Sequence, residues 1–258
     1  MTEVRDLQFW TEEGRPVPAV TAEQMREVDR IAAKVFGLDL LQMMENAGRT
    51  LAENVMDMAG ATSGEVTVLA GAGGNGGGGL CCARHLHNRG FRVNLLLDRE
   101  ASALKGAAGA QLCTLQAAGL GPVGRFEFEE AIQRAGIVVD ALIGYSLRGA
   151  PRGRAAWLIE LCNEHAARVL ALDVPSGLDA TTGARPGLVV RAHRTLTLAL
   201  PKTGLRDLPG DLYLADIGIP PEVYGRVGLS LEPFFENRFW LPLRRTEGAQ
   251  RRSPNAAG

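Results

Sequence analysis

Three short stretches of this chain carry residue types at spacings that could do chemistry. The first, Gly71-Ala-Gly-Gly-Asn-Gly-Gly-Gly-Gly79, holds seven glycines in nine positions, and Asn75 is its one side chain able to hydrogen-bond or coordinate. Where no Cβ stands in the way, backbone N–H groups opening a helix can approach a phosphate closely. The second, Asp140-Ala-Leu-Ile-Gly-Tyr-Ser-Leu-Arg-Gly-Ala150, sets a carboxylate ahead of a small-residue turn. The third, Asp173-Val-Pro-Ser-Gly-Leu-Asp179, sets another ahead of a sharp Pro-Ser-Gly turn. A carboxyl group beside a reacting atom can donate and then recover a proton. The oxygen set of Asn75, Asp140 and Ser176, with backbone carbonyls, suits a hard cation of low charge rather than zinc or copper. For any one of these aspartates a helix-capping role is an equal reading, so the three loops together carry the argument.

Those loops need elements that bring them to one edge. Short apolar runs at 66–70, 91–97, 137–142, 169–174, 195–200 and 212–217 predict strands buried on both faces. Helical stretches at 80–88, 103–118, 129–134 and 155–165 supply the crossovers, which predicts a doubly wound, mainly parallel sheet. Ligands of such sheets sit beyond the carboxyl ends of the strands, where all three loops fall. Gly71, Gly73 and Gly76 satisfy G-x-G-x-x-G, and Asp98 closes the next apolar run about 20 residues on, as a dinucleotide fingerprint requires. A glycine turn that lets a helix pack against a sheet is the competing reading of the same run.

Ahead of the first strand, Thr21 and Gln24 form a capping-box signal, and Met25, Val28, Ile31, Ala32 and Val35 repeat at helical spacing until Gly37. Leu40, Met43, Met44, Ala47, Leu51, Val55 and Met58 make a second apolar face, so a helical hairpin opens the protein, its methionines read as core filler. At 258 residues and 46% hydrophobic content, one large domain over residues 1–243 is expected. Residues 244–258, with Arg244, Arg245, Arg251 and Arg252, read as a disordered basic tail. A net charge of −1 without charge clustering argues against nucleic acid or an acidic membrane surface as partner. Cys81, Cys82, Cys113 and Cys162 show no zinc or disulfide spacing and are expected to be buried thiols in a reducing compartment. With no leader-like or membrane-spanning stretch, a cytoplasmic location is expected. Leu229, Leu231, Phe234, Phe235, Phe239 and Trp240 either close the core or cover a partner subunit in a homodimer.

The ordered motifs resemble the NAD(P)H-hydrate epimerase family, the YjeF N-terminal domain type. Its signature G-P-G-N-N-G-G-D-G is matched by residues 71–79, D-A-L-x-G by Asp140-Ala-Leu-Ile-Gly144, D-I-P-S-G-x-D by Asp173 to Asp179, and T-x-x-x-P-K by Leu198-Ala-Leu-Pro-Lys202. Met25, Asp29 and Leu41-Gln-Met-Met-Glu-Asn-Ala-Gly48 resemble the helical entry, and Asp216-Ile-Gly-Ile-Pro220 the closing strand. The resemblance implies a Rossmann-like three-layer αβα sandwich that interconverts the R and S forms of hydrated NADH or NADPH in nicotinamide cofactor repair. It implies one potassium ion on Asn75, Asp140 and Ser176, with Asp173 as the catalytic group. It implies substrate contacts from Gly74, Asn75, Gly76, Gly77 and Gly78, from Gly144, Tyr145, Ser146, Leu147, Arg148, Gly149 and Ala150, and from Asp173. A separate NAD(P)HX dehydratase is the expected functional partner. The family's Asp and first Asn of the glycine motif are Gly78 and Gly74 here. Two other readings stay open: a non-catalytic nucleotide-binding or scaffold member, and an NAD-dependent dehydrogenase, against which stands the absence of a histidine at a strand end.

Overall fold

A computed structural model describes residues 9–60 and 64–245. Helices α1 (Ala22–Lys34) and α2 (Leu40–Ala59) form the expected hairpin, each opened by a capping box, from Thr21 and from Asp39. The alternating part follows as β3 (Glu65–Ala70), α3 (Gly74–His87), β4 (Arg92–Leu97), α4 (Gly106–Ala117), α5 (Phe128–Arg134), β5 (Ile137–Ala141), α6 (Gly153–His165), β6 (Val169–Leu172), β7 (Arg194–Leu198) and β8 (Asp211–Ala215). All six expected strands form, and they pair in parallel in the order β8-β7-β6-β5-β3-β4.

Alternate strand residues point to opposite faces. Val66, Val68 and Ala70 of β3 pack with Leu51, Leu80 and Leu112 of α2, α3 and α4, while Leu69 packs with Ile132 and Leu158 of α5 and α6. That is the three-layer sandwich. A third apolar cluster joins α1 to α7 (Pro221–Arg226) and to the far end of the sheet.

Three further strands extend the sheet where the periodicity left no signal. β9 (Trp240–Arg245) runs antiparallel to β8, and β1 (Phe9–Thr11) and β2 (Pro16–Val17) add beyond it. Arg244 and Arg245 therefore belong to a strand rather than to a tail, because their backbones pair with Trp10 and Phe9; the remainder of the expected tail, 246–258, lies outside the described residues. Of the six late apolar residues, Phe234 is buried in the third cluster, Leu229, Leu231 and Phe235 pack against it, and Trp240 packs on the cluster of Val66, Val68 and Ala70. Phe239 stays exposed beneath the guanidinium of Arg49 at 4.8 Å.

Two expectations are corrected. Cys113 is exposed, although the other three thiols are buried. The glycine run is a loop only as far as Gly73: α3 begins at Gly74, and Gly76 to Gly79 are buried helical residues. Glycine in a helix interior costs about 1 kcal/mol relative to alanine, so local preference opposes this start. Packing overrides it, as Gly76 shows: a Cβ there would stand 1.7 Å from the carbonyl oxygen of Gly71. A charged cluster ties α2 to α3 lower down, where Glu45 accepts from Arg84 at 2.5 Å and lies 2.8 Å from His85 Nε2.

Candidate active site

The strand order reverses between β3 and β5, since β4 lies on one side of β3 and all later parallel strands on the other. A crevice forms beyond the strand ends at such a point. Here it has two connected parts, a cleft of about 600 Å³ and a neighbouring hollow of about 460 Å³, which share Gly74, Asn75, Gly144 and Ser146.

Asp173 stands at the floor of the larger cleft, just past the end of β6, 2% exposed. Its φ of 68° is unusual for a residue with a Cβ. Flanking bonds hold it there, Asp173 N–H to Leu196 O at 2.7 Å and Val174 N–H to Leu172 O at 2.9 Å, an i to i+2 turn. Ala199, just past β7, repeats the device with φ 63° and a bond from Leu200 N–H to Leu198 O at 2.7 Å. Strained backbone of this kind persists where surrounding structure over-determines it, commonly at functional sites. The two turns bring Lys202, 1% exposed, into an ion pair with Asp173 Oδ1, and Lys202 also donates to Leu198 O at 2.8 Å.

The other Asp173 oxygen accepts the backbone N–H of Tyr145 at 2.9 Å. Gly144 passes between: a Cβ at that position would lie 3.0 Å from Asp173 Oδ2 and 3.1 Å from Asn75 Oδ1. Tyr145 in turn donates its hydroxyl to Asp29 of α1 at 2.5 Å, and its ring lies 5.8 Å from Lys202 Nζ and 6.0 Å from Arg26. Burial raises the Asp29 carboxyl, the Tyr145 bond opposing it; burial and then Asp29 raise the tyrosine. Apolar walls come from Met25, Met43, Met44, Leu172, Leu198 and Ile217. Three core methionines thus also face the cleft.

Asp140 and Ser176 lie beneath the surface, both fully buried. Asp140 accepts from Ser176 N–H at 2.8 Å, stands 2.6 Å from Ser176 Oγ and accepts from Leu142 N–H at 3.3 Å. Burial pushes its carboxyl up to about 6 against these bonds, and no cationic side chain is among the groups acting on it. Ser176 Oγ also accepts from Ile143 N–H at 2.8 Å, which locks the β5 loop to the β6 loop. Asn75 has an amide nitrogen buried without a partner among the described residues.

Leu147, Arg148 and Ala150 line the smaller hollow, and Tyr145 and Ser146 the larger cleft. Gly74 and Gly78 reach the cleft as well, whereas Gly76, Gly77 and Gly149 line neither part. None of the four histidines lines either part. Lys202, Asp29, Arg26 and Arg30 also line the cleft, although the sequence reading gave none of them a site role. Asp29 had a signal, since it follows Met25 by four residues on a face that is otherwise apolar.

The family model described as "YjeF-related protein N-terminus" matches residues 40–204. The chain belongs to that family. It is 51% identical over 227 residues to an NAD(P)H-hydrate epimerase of Dehalogenimonas lykanthroporepellens, covering 86% of this chain and 91% of that protein. An NAD(P)H-hydrate epimerase of Rhodopirellula baltica is 36% identical, with 80% and 87% covered. A "Bifunctional NAD(P)H-hydrate repair enzyme Nnr" of Hyperthermus butylicus is 39% identical over 83% of this chain, which spans 42% of that longer protein. The fold matches the crystal structure of yeast ynu0 with a TM-score of 0.78, at 23% identity over 88% of this chain and all of the other.

Proposed function

We propose that this member of the YjeF-related family is an NAD(P)H-hydrate epimerase, an isomerase that interconverts the R and S hydrates of NADH and NADPH. The observation that carries the mechanism is the buried Asp173–Lys202 pair on the floor of an apolar cleft. The names of two relatives covered over most of their length supply the reaction.

The hydrate bears a hydroxyl on a ring carbon bonded to the ring nitrogen. Protonating that hydroxyl and expelling water gives a cation stabilised by the nitrogen lone pair, and water can return to either face. The reaction therefore needs one proton delivered to a leaving oxygen and one taken from the entering water. Asp173 is the proposed acid and base, with Lys202 as its proton-sharing partner. The N–H of Tyr145 fixes the orientation of the carboxyl. Gly144 leaves room beside Asp173 and Asn75 for a substrate atom. The walls from Met25, Met43 and Met44 exclude bulk water from the ring.

A potassium ion fits the neighbouring oxygens. Asp140 is a buried carboxylate with only neutral donors, and Ser176 Oγ after β6 and Asn75 Oδ1 in the first turn of α3 are further uncharged oxygens. When bound, the ion supplies countercharge to Asp140 and to substrate phosphate. The helix opening at Gly74, the loop 144–150 and Asn75 are proposed to hold the pyrophosphate. Functional coupling to an NAD(P)HX dehydratase is proposed, supported by relatives named as bifunctional NAD(P)H-hydrate repair enzymes, and a homodimer is the proposed assembly. The test is to feed mixed R and S hydrate together with an S-specific dehydratase. Consumption of the R form that depends on this protein supports the reading; an R form left untouched refutes it.

A further inference from the structure

The smaller hollow lies beside the catalytic cleft and is built by three arms, the β3–α3 loop, the end of β4 and the β5–α6 loop. Three arginines line it, Arg99, Arg148 and Arg152, against one carboxylate, Asp98. In a βαβ unit that binds a dinucleotide, the acidic residue ending the second strand accepts the 2′-hydroxyl of the adenosine ribose, whereas an arginine there accommodates a 2′-phosphate. Asp98 holds that strand-end position, since β3 and β4 are adjacent and parallel with α3 between them in sequence.

Asp98 is not free to take a hydroxyl. Arg99 clamps both of its oxygens, Nε to Oδ1 and a terminal nitrogen to Oδ2, each at 2.9 Å, and its side chain is 9% exposed. The nearby acid Glu100 is likewise engaged, by Arg154 at 2.6 Å. By contrast, no hydrogen bond or ion pair ties the side chain of Arg148 or Arg152 to another described residue, and both are exposed at the hollow. The hollow therefore presents two unneutralised guanidinium groups and a carboxylate already neutralised. Guanidinium forks match a phosphate monoester in charge and geometry.

Resting on the epimerase reading, we infer that this hollow is a 2′-phosphate subsite formed by Arg99, Arg148 and Arg152, and that the enzyme prefers the hydrate of NADPH to that of NADH. Arg99 acts by masking Asp98, and Arg148 and Arg152 contact the phosphate.

The test has two arms. Turnover is compared on the two hydrates, with kcat/KM expected to favour the NADPH hydrate by about tenfold or more, mainly through KM. Separately, calorimetry compares adenosine 2′,5′-bisphosphate with 5′-AMP, which reads the subsite without catalysis. Arg152→Ala is expected to erase most of the contrast in both arms. Arg99→Ala is expected to invert it, because it exposes the Asp98 carboxylate to repel a phosphate and accept a hydroxyl. Equal kcat/KM for the two hydrates together with equal binding of the two nucleotides overturns the subsite while leaving the epimerase reading intact. A contrast that survives both substitutions also overturns it. Tighter binding of the bisphosphate, lost in Arg152→Ala, in a protein that epimerises neither hydrate would uphold the subsite and refute the reaction.

Discussion

Lys202→Met is the sharpest test of the Asp173–Lys202 pair, because methionine keeps an apolar stem of similar length while removing the ammonium. The two side chains are 1% and 3% exposed, so solvent cannot replace the lost partner. Breaking a buried pair from one side leaves an uncompensated charge and costs about 3–5 kcal/mol. For a chain of this length that is roughly 2 °C per kcal/mol, or about 6–10 °C in Tm. Asp173→Asn alone strands the ammonium instead and is expected to cost a comparable amount, with no added backbone penalty since asparagine tolerates positive φ. The double variant Asp173→Asn/Lys202→Met leaves neither charge, and is expected to be more stable than the sum of the singles by about 2 kcal/mol or more. Urea denaturation of the four proteins measures the cycle. Additive losses, or a Lys202→Met protein within about 1 kcal/mol of the parent, would refute the reasoning.

Asp173→Asn should lower epimerisation by about 10²- to 10⁴-fold, as loss of a general acid or base does; near-parental turnover would move that role to Lys202. Potassium should raise Tm relative to a bulky organic cation, since an ion bound only by the folded form stabilises it, and Asp140→Asn should remove the difference; identical melting curves for the parent protein would count against the ion. Gly78→Asp puts a Cβ on a buried position of α3, 2.9 Å from Leu172 Cδ2, so a stability loss of about 1–3 kcal/mol is expected, read by denaturant midpoint. Burial raises the Glu45 carboxyl, but bonds from Arg84, His85 and Cys81 outweigh it and bring it from 4.5 to about 2. Its contribution to stability is therefore present above pH 4.5 and lost as pH falls toward 2. Glu45→Gln should flatten that acid limb, and an unchanged acid profile would contradict the assignment.

The parallel sheet, its crossovers and the helical hairpin were legible because buried strands read as continuous apolar runs and amphipathic helices as stripes. The strand-end aspartates were legible for a related reason, since a carboxylate closing an apolar run in this topology lies at the carboxyl edge of the sheet, but the run could not tell that Asp173 lines the cleft while Asp140 is buried beneath it. Strands β1, β2 and β9 were not legible. β1 and β2 are short, β9 carries no continuous apolar run, and the pairing of all three depends on an edge that exists only once β8 is in place. Nor could the order of residues tell that Gly74 to Gly79 is helical, because helix preference opposes it and only contact with neighbouring backbone and side chains selects it. Lys202 and Asp29 lie 29 residues after and 144 residues before Asp173 in the chain, so no local spacing joins them. Tertiary structure alone decided that the turns after β6 and β7 bring lysine and aspartate together in a buried pair, and that Tyr145 links them to the first helix.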